Sequence, residues 1–324
     1  MKMIMLVAVC LTVCLSSCAG PKQPTFIPLP DHIELSQGEC TKGSCVDGHG
    51  TITFSDGSYY EGAFSRGVRN GQGTLVLAAG GSFSGSFRRG VYSGGGEVTL
   101  GDGTVGVCKI NSNCFDGQGE FIAENGQVFS GSYRNGMLNG RGNTTLPDGR
   151  EFKGVFINNL LEGRGRMTTE SGASYLGDFR KGKLDGQVTI LFSTGSRFEG
   201  IFEEGEYVKN GVLTFPNRVT GKCIRGNCIE GTGSLALDDG SSYEGQFLNG
   251  LRHGKGVSIT SGGAVYTGNY LNGKRHGVGT YVFPSGIIYI GQYKNGKRHG
   301  PGVYKFANGK SHRVYYEDGE LKKE

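Results

Sequence analysis

Residues 266–288 read YTGNYLNGKRHGVGTYVFPSGII, and residues 289–311 read YIGQYKNGKRHGPGVYKFANGKS. Tyr266, Gly268, Tyr270, Gly273, His276, Gly277, Gly279, Tyr281, Phe283 and Gly286 each return 23 residues later, from Tyr289 to Gly309. A fixed period in the twenties marks a repeat array. Within one copy, Tyr266, Gly268 and Tyr270 alternate with Thr267 and Asn269, and Gly277, Gly279, Tyr281 and Phe283 keep the same period of two, which is that of a strand. Leu271 to Arg275 between them is a polar turn whose Gly273 tolerates positive φ, and Pro284, Ser285 and Gly286 make a second turn. One copy is therefore a β-hairpin plus a turn. Glycines between aromatics leave space for a ring to lie flat on backbone. A lone hairpin is marginal in water, so the units must stack.

The pattern Tyr-x-Gly-x-Tyr-x-x-Gly-x-x-His-Gly-x-Gly resembles the MORN repeat (membrane occupation and recognition nexus). Carried along the chain, it places unit starts near Ser36, Tyr60, Phe83, Val105, Phe129, Phe152, Tyr175, Phe198, Val219, Tyr243, Tyr266 and Tyr289. The expected fold is all-β: an elongated single-layer solenoid of stacked antiparallel β-hairpins over residues 36–310, with a frayed end at 311–324. Sixty-one glycines and no tryptophan in 324 residues argue against a large globular core, and aromatics recurring with the glycines argue against collagen or disorder. The middle units depart from the pattern, at Asn159, which replaces a turn glycine, and between residues 205 and 221, where the alternatives are a bulge or kink and simple drift of a tolerant repeat.

Residues 1–18 read as an export signal: Lys2, an apolar run from Ile4 to Leu15, then Leu15-Ser16-Ser17-Cys18. That ending resembles a bacterial lipobox, which implies lipidation at Cys18 and a membrane anchor. Ala19 after the cysteine favours the outer membrane over the inner membrane of a bacterial cell envelope under that resemblance. Residues 19–35, with Pro21, Pro24, Pro28 and Pro30, read as a spacer.

Six further cysteines form close pairs: Cys40 with Cys45, Cys108 with Cys114, and Cys223 with Cys228. The first of each pair takes the place of the second aromatic of a unit. Disulfides are the expected chemistry in an exported protein. A zinc site is the competing reading, and the pairs lack nearby His or Cys partners for a four-ligand set.

Catalytic signatures are absent apart from a Gly-x-Gly-x-x-Gly at Gly101, Gly103 and Gly106, which has no βαβ context and is expected by chance in so glycine-rich a chain. Glu61, Glu199 and Glu244 share one repeat position and read as solvated strand faces rather than a glycosidase pair. His253, His276 and His299 also share a position and read as turn or packing residues, not metal ligands. No cofactor is expected.

Charge is uneven: residues 243–324 hold 12 Lys and Arg against 5 Asp and Glu. Lys274, Arg275, Lys297 and Arg298 recur on equivalent turns, with Arg252 and Lys255 nearby, and these six are the candidate anion- or partner-binding residues. The resulting expectation is a non-catalytic, lipid-anchored scaffold for protein partners. Two alternatives are an anionic-lipid or lipopolysaccharide binder acting through the basic repeats, and a glycan- or cell-wall-acting enzyme. Nucleic acid is not expected as a partner, and terminal hairpin edges permit self-association.

Overall fold

A computed structural model describes residues 38–322 except 79 and 102. The described residues are all-β and fall into 27 strands, which pair antiparallel within each of two units. The signal, the spacer and Cys18 lie outside them. The described residues form two units, each with its own contacts: those up to 170 with 179–183, and 171–178 with those from 184 onward.

In the first unit the ladder begins with Gly38–Gly43 on Gly48–Phe54 and reaches Glu151–Ile157 on Leu160–Thr168. It is interrupted once, where Ser82–Arg88 pairs with both Val91–Tyr92 and Gly96–Thr99. In the second unit the ladder ends with Ser311–Glu317 on Glu320–Lys322, so the stretch expected to fray forms a further hairpin, turning at Asp318 and Gly319.

The hairpin Val265–Leu271 with Lys274–Val282 shows why these residues fold this way. Asn272 and Gly273 take φ of 49° and 81°, the two left-handed positions of a type I′ turn whose twist matches paired strands. Gly268 pairs with Gly279, but Asn269 pairs with His276, so the second strand carries a bulge. A Cβ on Gly279 would sit 2.5 Å from the Tyr266 ring, which lies flat over the two facing glycines. Tyr266 then donates its hydroxyl to the Asn269 carbonyl at 3.1 Å, satisfying a backbone group at the bulge. Tyr60 and Tyr243 donate to Ala63 and Gln246 in the same way.

The rings join successive hairpins edge to face: Tyr243 to Tyr270 and Tyr266 to Tyr293, each with centroids 5.1 Å apart. Tyr60, Tyr243, Tyr266 and Tyr289 are fully buried in a sheet that needs no second layer over this face. Near residues 205–221 the strand Arg197–Glu203 meets Glu206–Thr214 with two register shifts, and Arg218 occupies the positive-φ turn position usually held by glycine.

Candidate binding surface

Hydrogen bonds from turn to turn set the positions of the three candidate arginines. The Gly273, Gly296 and Gly319 N–H groups donate to the carbonyls of Arg252, Arg275 and Arg298 in the preceding hairpin, at 2.8, 2.9 and 2.9 Å. The Nδ1 atoms of His253 and His276, after Arg252 and Arg275, are buried without a hydrogen-bond partner among the described residues, whereas after Arg298 the His299 Nδ1 accepts the N–H of the positive-φ residue Asp318 at 3.3 Å. Glu162 plays the same part for Lys181, and Asp47 and Asp116 do so for Arg66 and Asn135. Of the three repeated histidines, His299 is thus a turn acceptor, and His253 and His276 are half-buried packing residues. Among the described residues no group of three His, Cys, Asp or Glu side chains could hold a metal ion.

Lys274 pairs with Leu271, and Lys297 with Lys294, at the mouths of their hairpins. All three lysines, Lys274, Lys294 and Lys297, are exposed, as is Lys255. The adjacent arginines turn the other way and are half-buried. The Arg275 guanidinium lies 4.7 Å from the Tyr266 centroid and 4.9 Å from that of Tyr281. Arg298 lies 4.7 Å from Tyr289, with Phe283, Tyr304 and Tyr316 also around it. Arg252 stands over Phe215, Tyr243 and Tyr270. These cation–π stacks occupy the guanidinium faces. Of the six cations singled out by position, three are presented outward and three are packed among rings.

The outward side of the same strands was not anticipated. Register aligns Ile259, Val265, Val282 and Ile288 in one row across four strands. A second row holds Val257, Thr267, Thr280, Ile290 and Val303. Val278, in the next row, is 61% exposed. This strip of β-branched residues is bordered at the hairpin mouths by Lys274, Lys294 and Lys297, and at its other edge Lys305 pairs with Ile288. The equivalent row earlier in the chain is more polar: Thr189, Glu199, Val212 and Lys222 follow one another. The period-two pattern of Val265, Thr267, Ile288 and Ile290 was the sequence signal for it.

Disulfides join Cys40 to Cys45, Cys108 to Cys114, and Cys223 to Cys228. The residue after the second cysteine takes over the arginine's backbone role. Gly67, Gly136 and Gly250 donate to the carbonyls of Val46, Phe115 and Ile229 at 2.8, 3.0 and 3.0 Å. The bridge therefore presents the next hairpin with the same acceptor where the unit lacks its second ring.

A family model described as "MORN repeat" matches residues 47–59, 60–82, 129–149, 152–174, 175–197, 243–265, 266–288 and 289–311, together more than half the chain. The chain belongs to the MORN-repeat family. The MORN model skips residues 83–128 and 198–242, the stretches that hold Cys108–Cys114 and Cys223–Cys228. A comparison with curated proteins gives no match. Among solved structures, the MORN chain is 12% identical to the Drosophila melanogaster SAS-4 TCP domain in complex with a proline-rich motif of Ana2, over 55% of this chain and 85% of that one, with a TM-score of 0.20. It is 11% identical to the Danio rerio CPAP TCP10 domain in complex with a STIL peptide, over 86% and 100%, with a TM-score of 0.21. It is 10% identical to virginiamycin B lyase from Staphylococcus aureus, over 87% and 88%, with a TM-score of 0.14. At these scores none of the three informs the fold or function of this chain.

Proposed function

We propose that this MORN-repeat protein is a non-catalytic, lipid-anchored envelope protein whose array docks protein partners. The repeat family suggests binding and scaffolding in general. The observation that carries the finer reading is the β-branched strip of residues 257–303 with lysines at its border. A contiguous apolar face rimmed by charge is what a monomer rarely leaves uncovered without a partner, and the lysines select one with acidic residues at its margin. The lipid at Cys18 holds the array at the membrane, and the outer membrane of a bacterial cell is its favoured place. Mass spectrometry of the purified protein tests the anchor: an acylated N-terminal peptide beginning at Cys18 is expected, and an unmodified Cys18 would contradict it.

The second reading is contact with anionic lipid through Lys255, Lys274, Lys294 and Lys297, which are exposed and make no ion pair among the described residues. Co-sedimentation with neutral and anionic vesicles at two salt concentrations separates the two. Salt-sensitive binding to anionic vesicles, lost when Lys274 and Lys297 become Glu, supports lipid contact. No vesicle binding leaves protein docking alone.

A further inference from the structure

The three disulfide hairpins are built alike but are not covered alike. The residue after the second cysteine is Val46, Phe115 or Ile229, and its carbonyl accepts the N–H of the next turn glycine, Gly67, Gly136 or Gly250. In the two later copies the preceding chain closes over this pair. The Phe115 ring lies 4.9 Å from that of Phe83, and a Cβ on Gly136 would come within 2.9 Å of Phe83 and 3.9 Å of Leu100. Ile229 is buried, and a Cβ on Gly250 would come within 2.6 Å of Phe192 and 3.2 Å of Leu213. Val46, by contrast, is 62% exposed. The first strand of its unit, Gly38–Gly43, pairs among the described residues with Gly48–Phe54 alone, whereas Val105–Cys108 and Thr220–Gly226 are paired on both sides. A strand with apolar side chains covers each later copy, and no described residue supplies one to the first.

The covering strand ends in the same way before both later copies. Two apolar residues separated by one other are buried, Val98 with Leu100 and Leu213 with Phe215, and the second opens the turn by donating its N–H to the carbonyl four residues on. That N–H points at the following strand, so the N–H two residues earlier does too, and the residue between points its own away. Upstream of Gly38, Ile27-Pro28-Leu29-Pro30-Asp31 has the form of Leu213-Thr214-Phe215-Pro216-Asn217, and Leu146-Pro147-Asp148 opens another turn of the array. Leu29 stands nine residues before Gly38 and Phe215 six before Gly221, so the first turn is longer by three residues. A strand in this alternation turns Ile27 and Leu29 to the buried face and their N–H groups to Gly38–Gly43. Pro24 and Pro28 then fall in the other set, where the missing N–H groups face away from the sheet. Proline is admitted to a sheet at an outer edge of this kind, and it stops further pairing there. The number of prolines suits a spacer, but their placement suits an edge strand.

We propose that residues 24–29, which lie outside the described residues, form the terminal strand of the array on the free side of Gly38–Gly43, with Ile27 and Leu29 closing over Val46 and Gly67. The occupant is this chain's own segment because Leu100 and Leu213, which cover the later copies, come from the strand end directly before each cysteine unit. No charged residue stands between Lys22 and Asp31, as burial of the segment requires. With the lipid at Cys18 proposed above, the five residues from Ala19 to Gln23 separate the anchor from the sheet and reach at most about 18 Å. The first edge of the array is then held at the bilayer surface. The strand itself does not depend on that anchor.

Hydrogen exchange of the full chain in detergent, resolved to single amides, tests this. The Ile27 and Leu29 amides should exchange about a hundredfold or more slower than in the unfolded chain, while the Phe26 amide, which points outward, exchanges fast. Ile27→Asp should return Leu29 and the outward amides of Gly38–Gly43 to fast exchange and lower the melting temperature. Phe26→Asp, on the opposite face, should change neither. Residues 266–311 should stay protected in both variants, which separates loss of the terminal strand from loss of the fold. Fast exchange at Ile27 and Leu29 in the wild type overturns the strand. Slow exchange that survives Ile27→Asp, or that Phe26→Asp removes equally, overturns Ile27 and Leu29 as the covering side chains.

Discussion

The Arg298 guanidinium sits 4.7 Å from the centre of the Tyr289 ring, while its neighbour Lys297 is exposed beside Lys294. Two adjacent cations thus do different work. The arginine's flat, weakly hydrated group joins the rings of successive hairpins, and the lysine's hydrated ammonium stays in water. The same division holds for Arg275 and Lys274.

Replacing Arg275 by Ala should therefore lower stability by about 1–2 kcal/mol, the range for partly desolvated cation–π contacts. Lys274→Ala should stay within about 0.5 kcal/mol of wild type. Denaturant midpoints of the two variants check this, and Arg275→Lys should fall with the alanine variant because an ammonium does not stack as a plane.

Gly279→Ala places a Cβ 2.5 Å from the Tyr266 ring, with the facing strand behind it. Overpacking of this kind costs about 1–3 kcal/mol. Gly262→Ala has open space around it and no left-handed φ, so the same added methyl should be close to neutral. Melting temperatures of the pair separate packing from backbone freedom.

Burial pushes the hydroxyls of Tyr92, Tyr175 and Tyr289 up to about 12 from the usual 10, with Glu230 adding to the effect at Tyr175 and Tyr293 at Tyr289. The folded chain holds these protons more tightly than the unfolded chain. Their contribution is complete below pH 10 and is lost as pH rises from about 10 to 12. Stability should fall across that window, and the share of phenolate absorbance removed by Tyr→Phe changes at these three positions should rise only as β-sheet signal is lost. Ionisation of these three hydroxyls well before unfolding would contradict the burial of their rings.

Each disulfide closes a short loop and should contribute roughly 2 kcal/mol, so reduction should lower the melting temperature without dispersing the array. Cys40 is exposed, whereas Cys108 and Cys114 are both buried. Thiol labelling at increasing reductant should therefore find Cys40 and Cys45 first and Cys108 and Cys114 last. Free thiols at all six positions in the isolated protein would remove the bridges altogether.

The period of the Tyr266 and Tyr289 copies contained most of the fold, because Asn-Gly turns and the facing glycines under each tyrosine are local requirements. Cysteine spacing located the units that lack a second ring. Position along the repeat did not reveal which way each cation points. The two-residue turn at Asn272 and Gly273 shifts the alternation: Tyr270 pairs with Arg275, so counting by twos from Tyr266 would put Lys274 rather than Arg275 on the ring face. The apolar strip was missed for a different reason: Val265, Val282 and the pair Ile288 and Ile290 come from three separate strands, and only their register makes them neighbours. Cys18 and the proline-rich spacer lie outside the described residues, so the anchor rests on sequence.

The most direct test of docking through the strip is quantitative affinity capture from solubilised native membranes, comparing wild type with Val282→Glu/Ile290→Glu. Specific partners retained by wild type, but lost from the double variant with its melting temperature unchanged, are the predicted result. A double variant that keeps every partner of the wild type would contradict the assignment of the strip as the docking face.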